Sequence, residues 1–113
     1  MAYIESHQSL ARHRKLIHAA SLLGIGRPVM IGHLHLLWWW AVDNADRQGC
    51  LGNAPATTIA LAAEWDGDAE TFTNSLVTSG FLDKRQRQLI LHDWPDYNGK
   101  LMDVRETRRK QNR

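Results

Sequence analysis

Residues 55–91 constrain the fold more than any other stretch of the chain. Their apolar spacing and their breakers spell helix, tight turn, second helix and a two-stranded ribbon with a basic tip. Pro55 suits an early helical position, where its missing N–H costs nothing. Ile59, Leu61, Ala62 and Trp65 form the apolar face of this first helix. Asp66-Gly67 breaks it, because glycine tolerates the backbone angles of a sharp turn. Asp68 is placed to cap the next helix. There Phe72, Leu76 and Val77 recur at helical spacing, and Gly80 supplies the stop. Phe81-Leu82 and Leu89-Ile90-Leu91 are β-favouring runs on either side of the polar tip at 83–88. This order is the core of a winged helix. The expected fold class is mainly α (α+β): a winged helix-turn-helix with an extra N-terminal helix and a basic C-terminal helix. Residues 1–98 form the winged-helix domain, with its helix-turn-helix at 55–79 and its wing at 81–92. Residues 99–113 form a basic helix or the start of a linker.

The remaining elements follow from the same periodicities. Ser9 can cap a helix over 10–23 with Leu10, Ile17, Ala20 and Leu23 facing inward. Arg12, His13, Arg14, Lys15 and His18 make its other surface basic, a pattern whose simplest account is solvation. Gly24-Ile25-Gly26 ends it. Pro28 opens a helix over 28–44 in which Ile31, Leu34, Trp38 and Ala41 form one stripe. Three consecutive tryptophans cannot all face one core, since successive helical residues diverge by about 100°. Trp38 is expected at the centre. Trp39 and Trp40 are expected to be covered by the first and last helices, or else to form a dimer surface. Cys50-Leu51 reads as a short third strand of the wing, and Asn53 or Thr57 as a cap for the helix from 55. The expected sheet comprises 50–51, 81–83 and 88–92. The core residues are Leu34, Trp38, Ala41, Ile59, Phe72, Leu76 and Leu89.

Charge and cysteine content narrow the function. Residues 1–83 hold five Lys/Arg against eight Asp/Glu, a balance of −3; residues 84–113 hold nine against four, a balance of +5. The positive potential therefore lies on the wing and tail, where it attracts polyanions. Cys50 is the only cysteine, which excludes an internal disulfide and suits a reducing cytoplasm. No run approaches the ~18 apolar residues of a membrane span, and the N-terminus has no signal-peptide pattern. His33 and His35 resemble a metal pair, but residues two apart on a helix point to different sides. Nothing orients a base beside Cys50, and turn formation explains Asp93 and Asp96. No glycine-rich phosphate loop is present. The chain is expected not to be an enzyme and to use no metal or cofactor.

Nucleic-acid binding fits better. In a winged helix the second helix of the helix-turn-helix enters the major groove and the wing touches the backbone. Its outward face here is expected to carry Thr71, Asn74, Ser75 and Thr78, with Asn74 matched to adenine. Asp68 and Glu70 at its start repel phosphate. They shift the weight to Lys84, Arg85 and Arg87 on the wing and to Arg105, Arg108, Arg109 and Lys110 in the tail. The expected partner is double-stranded DNA, with a homo-oligomer, a protein-docking role or transcriptional regulation as the alternatives.

Several segments also resemble a known family. They are residues 3–15, 32–38, 63–67, 80–82 and 92–101, the most particular being His7-Gln8-Ser9-Leu10 and the Trp-x-Asp-Tyr-x-Gly-Lys-Leu run at 94–101. Together they resemble the N-terminal domain of DnaD-like replisome organisers of phages and prophages. The resemblance implies a winged-helix domain that binds origin DNA or self-associates in the cytoplasm of a bacterial host. Such a domain is normally followed by a linker and a domain that recruits helicase machinery. The resemblance also implies that this chain is a fragment of such a protein or a short relative.

Overall fold

The computed structural model describes residues 8–92 and Trp94. A 3-10 helix at Gln8–Arg12 leads into α1 (Arg14–Leu23), α2 (Arg27–Asn44), α3 (Ala56–Ala62) and α4 (Ala69–Ser79). The antiparallel strands β1 (Leu82–Arg85) and β2 (Gln88–Leu91) follow. The architecture is mainly helical with a small two-stranded sheet. The helix expected from about residue 99 lies outside the described residues.

The single helix expected over 10–23 is divided. His13 takes extended backbone angles and caps α1, its ring Nδ1 accepting from the Lys15 N–H at 3.1 Å, so Ser9 is not the cap. Leu16, Ala19 and Ala20 are buried, whereas Ile17 is 46% exposed rather than inward. Gly24 ends α1 in the left-handed region, φ 66°, and donates its N–H to the carbonyls of Ala20 and Ser21.

On α2 the buried stripe runs through Met30, Leu34, Leu37 and Ala41. It is rotated from the expected one, and the rotation decides the fate of the tryptophans. At about 100° per residue, Trp38 sits at the edge of this stripe and Trp39 on the side opposite it. Trp38 is accordingly half-buried and packs beside Phe81 at 6.3 Å, not at the core's centre. Trp40 is half-covered, and Trp39 is 55% exposed instead of covered. Of the seven expected core residues, the other six are buried.

The third wing strand is a single antiparallel bridge from Cys50 to Ile90. Flanking bonds run from the Leu51 N–H to the Leu89 carbonyl and from the Leu91 N–H to the Gly49 carbonyl, both 2.8 Å. Trp94, 1% exposed, lies so close to Gly49 that a Cβ there would come 2.5 Å from the Trp94 Cβ. Pro55 stands just before α3 as its cap, and neither Asn53 nor Thr57 contributes a capping side chain. α3 stops at Ala62, short of the expected Trp65, because Glu64 turns left-handed at φ 56°. The Trp65 N–H then returns to the Ala60 carbonyl at 2.8 Å, folding the chain back over the helix end. The Trp65 ring stacks on Phe72 at 5.2 Å, locking the α3–α4 turn against α4.

Candidate nucleic-acid interface

α4 begins where the Asp68 carboxylate accepts from the Thr71 N–H at 2.9 Å and from the Thr71 hydroxyl at 2.7 Å. The hydroxyl bond, then the backbone bond, hold the Asp68 carboxyl below its ordinary range. α4 ends at Gly80, φ 94°, whose N–H meets the carbonyls of Leu76 and Val77. Between these ends Phe72, Thr73, Ser75, Leu76 and Ser79 are buried. What remains outside is a narrow strip of Glu70, Thr71, Asn74 and Thr78.

Ser75 does not belong to the outward face. It is 6% exposed, and its hydroxyl donates to the Thr71 carbonyl at 2.7 Å. The internal bond satisfies its buried hydroxyl. Thr71 is exposed, but its hydroxyl is committed to the Asp68 cap. Asn74 and Thr78 are exposed on the strip, and neither side chain, like that of Glu70, has a partner among the described residues.

The hairpin register decides where the wing cations go. Leu82 pairs with Leu91 and Lys84 with Leu89, so these four share one face of the ribbon. Leu82, Leu91 and Leu89 are buried there, and Lys84 extends the same face past the edge of the core. Asp83, Arg85, Ile90 and His92 occupy the other face, where the His92 ring Nδ1 lies 2.9 Å from the Asp83 carboxylate. The three expected wing cations are thus divided, Lys84 on the α4 side and Arg85 away from it. The loop itself is two residues, Gln86 and Arg87, at φ 49° and 70°. It is tighter than the six-residue tip expected from sequence.

These placements create a groove of about 210 Å³ between α4 and the hairpin. Glu70, Thr73, Asn74 and Val77 line it from α4, and Lys84, Arg87 and Leu89 from the hairpin. Thr73 is 6% exposed, and its hydroxyl has no partner among the described residues. Sequence reasoning finds Asn74, Lys84 and Arg87 but not their convergence, nor the walls made by Thr73, Val77 and Leu89. The strand alternation carries that information only once the register is known. Arg105, Arg108, Arg109 and Lys110 lie outside the described residues.

The α2 histidines face separate structural partners. The His33 ring Nδ1 lies 2.7 Å from the Ala63 carbonyl, and the His35 ring Nδ1 lies 2.8 Å from the Ile31 carbonyl. Among the described residues no group of three or more His, Cys, Asp or Glu is arranged to hold a metal ion. No described helix is long and apolar enough to cross a membrane. Set against protein-family models, curated proteins and solved structures, the chain has no match.

Proposed function

We propose that residues 27–91 form a winged helix that binds duplex DNA, with α4 entering the major groove and the hairpin resting on the backbone. The observation that carries this reading is the groove where Asn74 of α4 meets Lys84 and Arg87 of the hairpin. An exposed asparagine amide on a helix can pair bidentately with adenine. The two cations beside it neutralise phosphates, which fixes position without reading sequence. Glu70 in the same groove disfavours phosphate at the start of α4, directing the backbone toward the hairpin and the helix's C-terminal half. The resemblance to DnaD-like replisome organisers supports replication initiation in a bacterial host as the setting. The cations at 105, 108, 109 and 110 would add sequence-independent affinity. The reading involves no catalytic step and no cofactor.

The test is a fluorescence-anisotropy titration at two salt concentrations, on a duplex selected from a random pool and on its scrambled counterpart. The double variant Lys84→Ala/Arg87→Ala should weaken binding to both alike and flatten the salt slope by about 0.9 for each phosphate no longer neutralised. Asn74→Ala should cost ~1–3 kcal/mol on the selected site and little on the scrambled one. Unchanged binding by both variants would sink the reading.

A second reading, docking or self-association, is favoured by one observation: Trp39 exposes more than half its surface on the side of α2 away from the core. Sedimentation across a concentration series decides it. Association that Trp39→Ser abolishes would support a protein interface there; a monomer at every concentration would remove self-association.

A further inference from the structure

α1 departs from the rule that governs helix ends. Aligned peptide dipoles leave positive charge at a helix start, so anions are favoured there and cations at the finish. α4 conforms, with Asp68 as its cap and Glu70 in its first turn. α1 opens instead with Arg14 and Lys15 and has no acidic residue in its first turn. Arg14 and His18 are exposed, four residues apart on one face. Neither side chain bonds to another described residue. A local rule broken with no compensating partner among the described residues is expected at functional sites.

Lys15 has a structural explanation. Its ammonium lies 3.4 Å from the Gly80 carbonyl, where it complements the C-terminal end of α4. That bond also fixes where the rest of the basic face lies. The first turn of α1 is set against the last turn of α4, and Ser79 shares an open concavity with Arg14, Ile17, His18 and Ser21. Around α4, at about 100° per residue, buried Ser75 and Ser79 adjoin the Thr71/Thr78 edge of the exposed strip. The Glu70/Asn74 edge adjoins the hairpin groove. The strip therefore runs between Lys84 and Arg87 on one side and the Arg14 guanidinium with the His18 imidazole on the other. Among the described residues no acidic side chain lines the α1 concavity, and Asp68 and Glu70 lie at the opposite end of α4.

We infer that α1 is a second backbone-binding flank of the DNA interface. Arg14 and His18 contact phosphates on the side of α4 away from the hairpin, beside its C-terminal half. Arg14 supplies charge and a forked donor, and His18 an imidazole N–H. The flank rests on the DNA-binding reading above, and it supplies positive potential at the end of α4 that the Asp68/Glu70 acidity leaves accessible to phosphate.

The experiment uses the full chain carrying Arg14→Gln/His18→Gln, measured beside Lys84→Ala/Arg87→Ala by anisotropy on duplex DNA and by thermal unfolding. At about 0.1 M salt, each phosphate released from its cation should lower affinity roughly eightfold and flatten the salt slope by about 0.9. The α1 variant should flatten the slope by about 0.9, the share of the one guanidinium removed, while its melting temperature holds or rises, since a misplaced helix-start cation is gone. Combining both pairs should multiply the losses, because the two flanks hold different phosphates. If the α1 variant binds as the wild type does while the hairpin variant is weakened, the DNA reading stands and the α1 flank is overturned. A drop in melting temperature that accounts for the weaker binding also overturns it. A wild type that fails to bind duplex at low salt removes both.

Discussion

Glu64 carries a left-handed backbone, φ 56°, at the end of α3, a conformation that costs an L residue roughly 1–2 kcal/mol. It is exposed, and its N–H reaches the Leu61 carbonyl at 3.1 Å as a glycine would at this position. Glu64→Gly should therefore stabilise the fold. The relief of strain is offset by about 0.4–1 kcal/mol of extra unfolded-state entropy, leaving a gain of roughly 0.5–1 kcal/mol. Chemical denaturation with an unchanged m-value would register it. A decrease in stability would mean that the glutamate side chain makes a contribution larger than the backbone strain. The stop at this point is not legible in the sequence, because nothing about a glutamate advertises a left-handed residue. Gly24 and Gly80 do advertise one, and both mark helix ends in the structure.

At the scale of elements, the hairpin joins two residues ill-suited to its turn. Two-residue hairpin loops with both φ positive favour Asn-Gly, and here Gln86-Arg87 occupies them at 49° and 70°. Strained positions concentrate at functional sites, and Arg87 lines the α4 groove. Gln86→Asn/Arg87→Gly should raise stability by roughly 1–2 kcal/mol through the turn. The same change should weaken DNA binding at every sequence by removing a cation. A gain in melting temperature with unchanged affinity would show that Arg87 is a turn residue only. The absence of a turn signature also explains why the sequence suggests a looser six-residue tip. Strand existence is visible in Leu82 and in Leu89-Ile90-Leu91, whereas loop length depends on register.

Across the whole molecule, α2 packs against α1 and α3 and is apolar nearly all round. Such a helix gives little sequence information about which face is buried, since every rotation places apolar side chains inward. Its partners α1 and α3 choose Met30, Leu34, Leu37 and Ala41 for the core. The two core substitutions should therefore rank opposite to their sizes. Leu37→Ala, at a fully buried position, should cost about 2–5 kcal/mol. Trp38→Ala, at the half-covered edge, should cost less than Leu37→Ala and fall below the ~3–5 kcal/mol of a buried aromatic. Urea titrations of the two variants compare them directly, and a larger cost for Trp38→Ala would place the core's centre where the sequence suggests it.

Features whose physics is local can be read from the chain without its fold. Asp68 caps α4, Gly24 and Gly80 end their helices, Pro28 stands in the first turn of α2, and the order helix, turn, helix, hairpin follows. Each depends on a backbone angle or on a hydrogen bond a few residues long. How those elements are turned toward one another is settled by packing. Packing buries Ser75, exposes Trp39, and turns Lys84 rather than Arg85 toward α4. It also brings the basic start of α1 against the end of α4. These outcomes depend on helix rotation and strand register, which are set by residues far apart in the chain. Lys15 and Gly80, for example, are 65 positions apart, and no local spacing encodes their meeting.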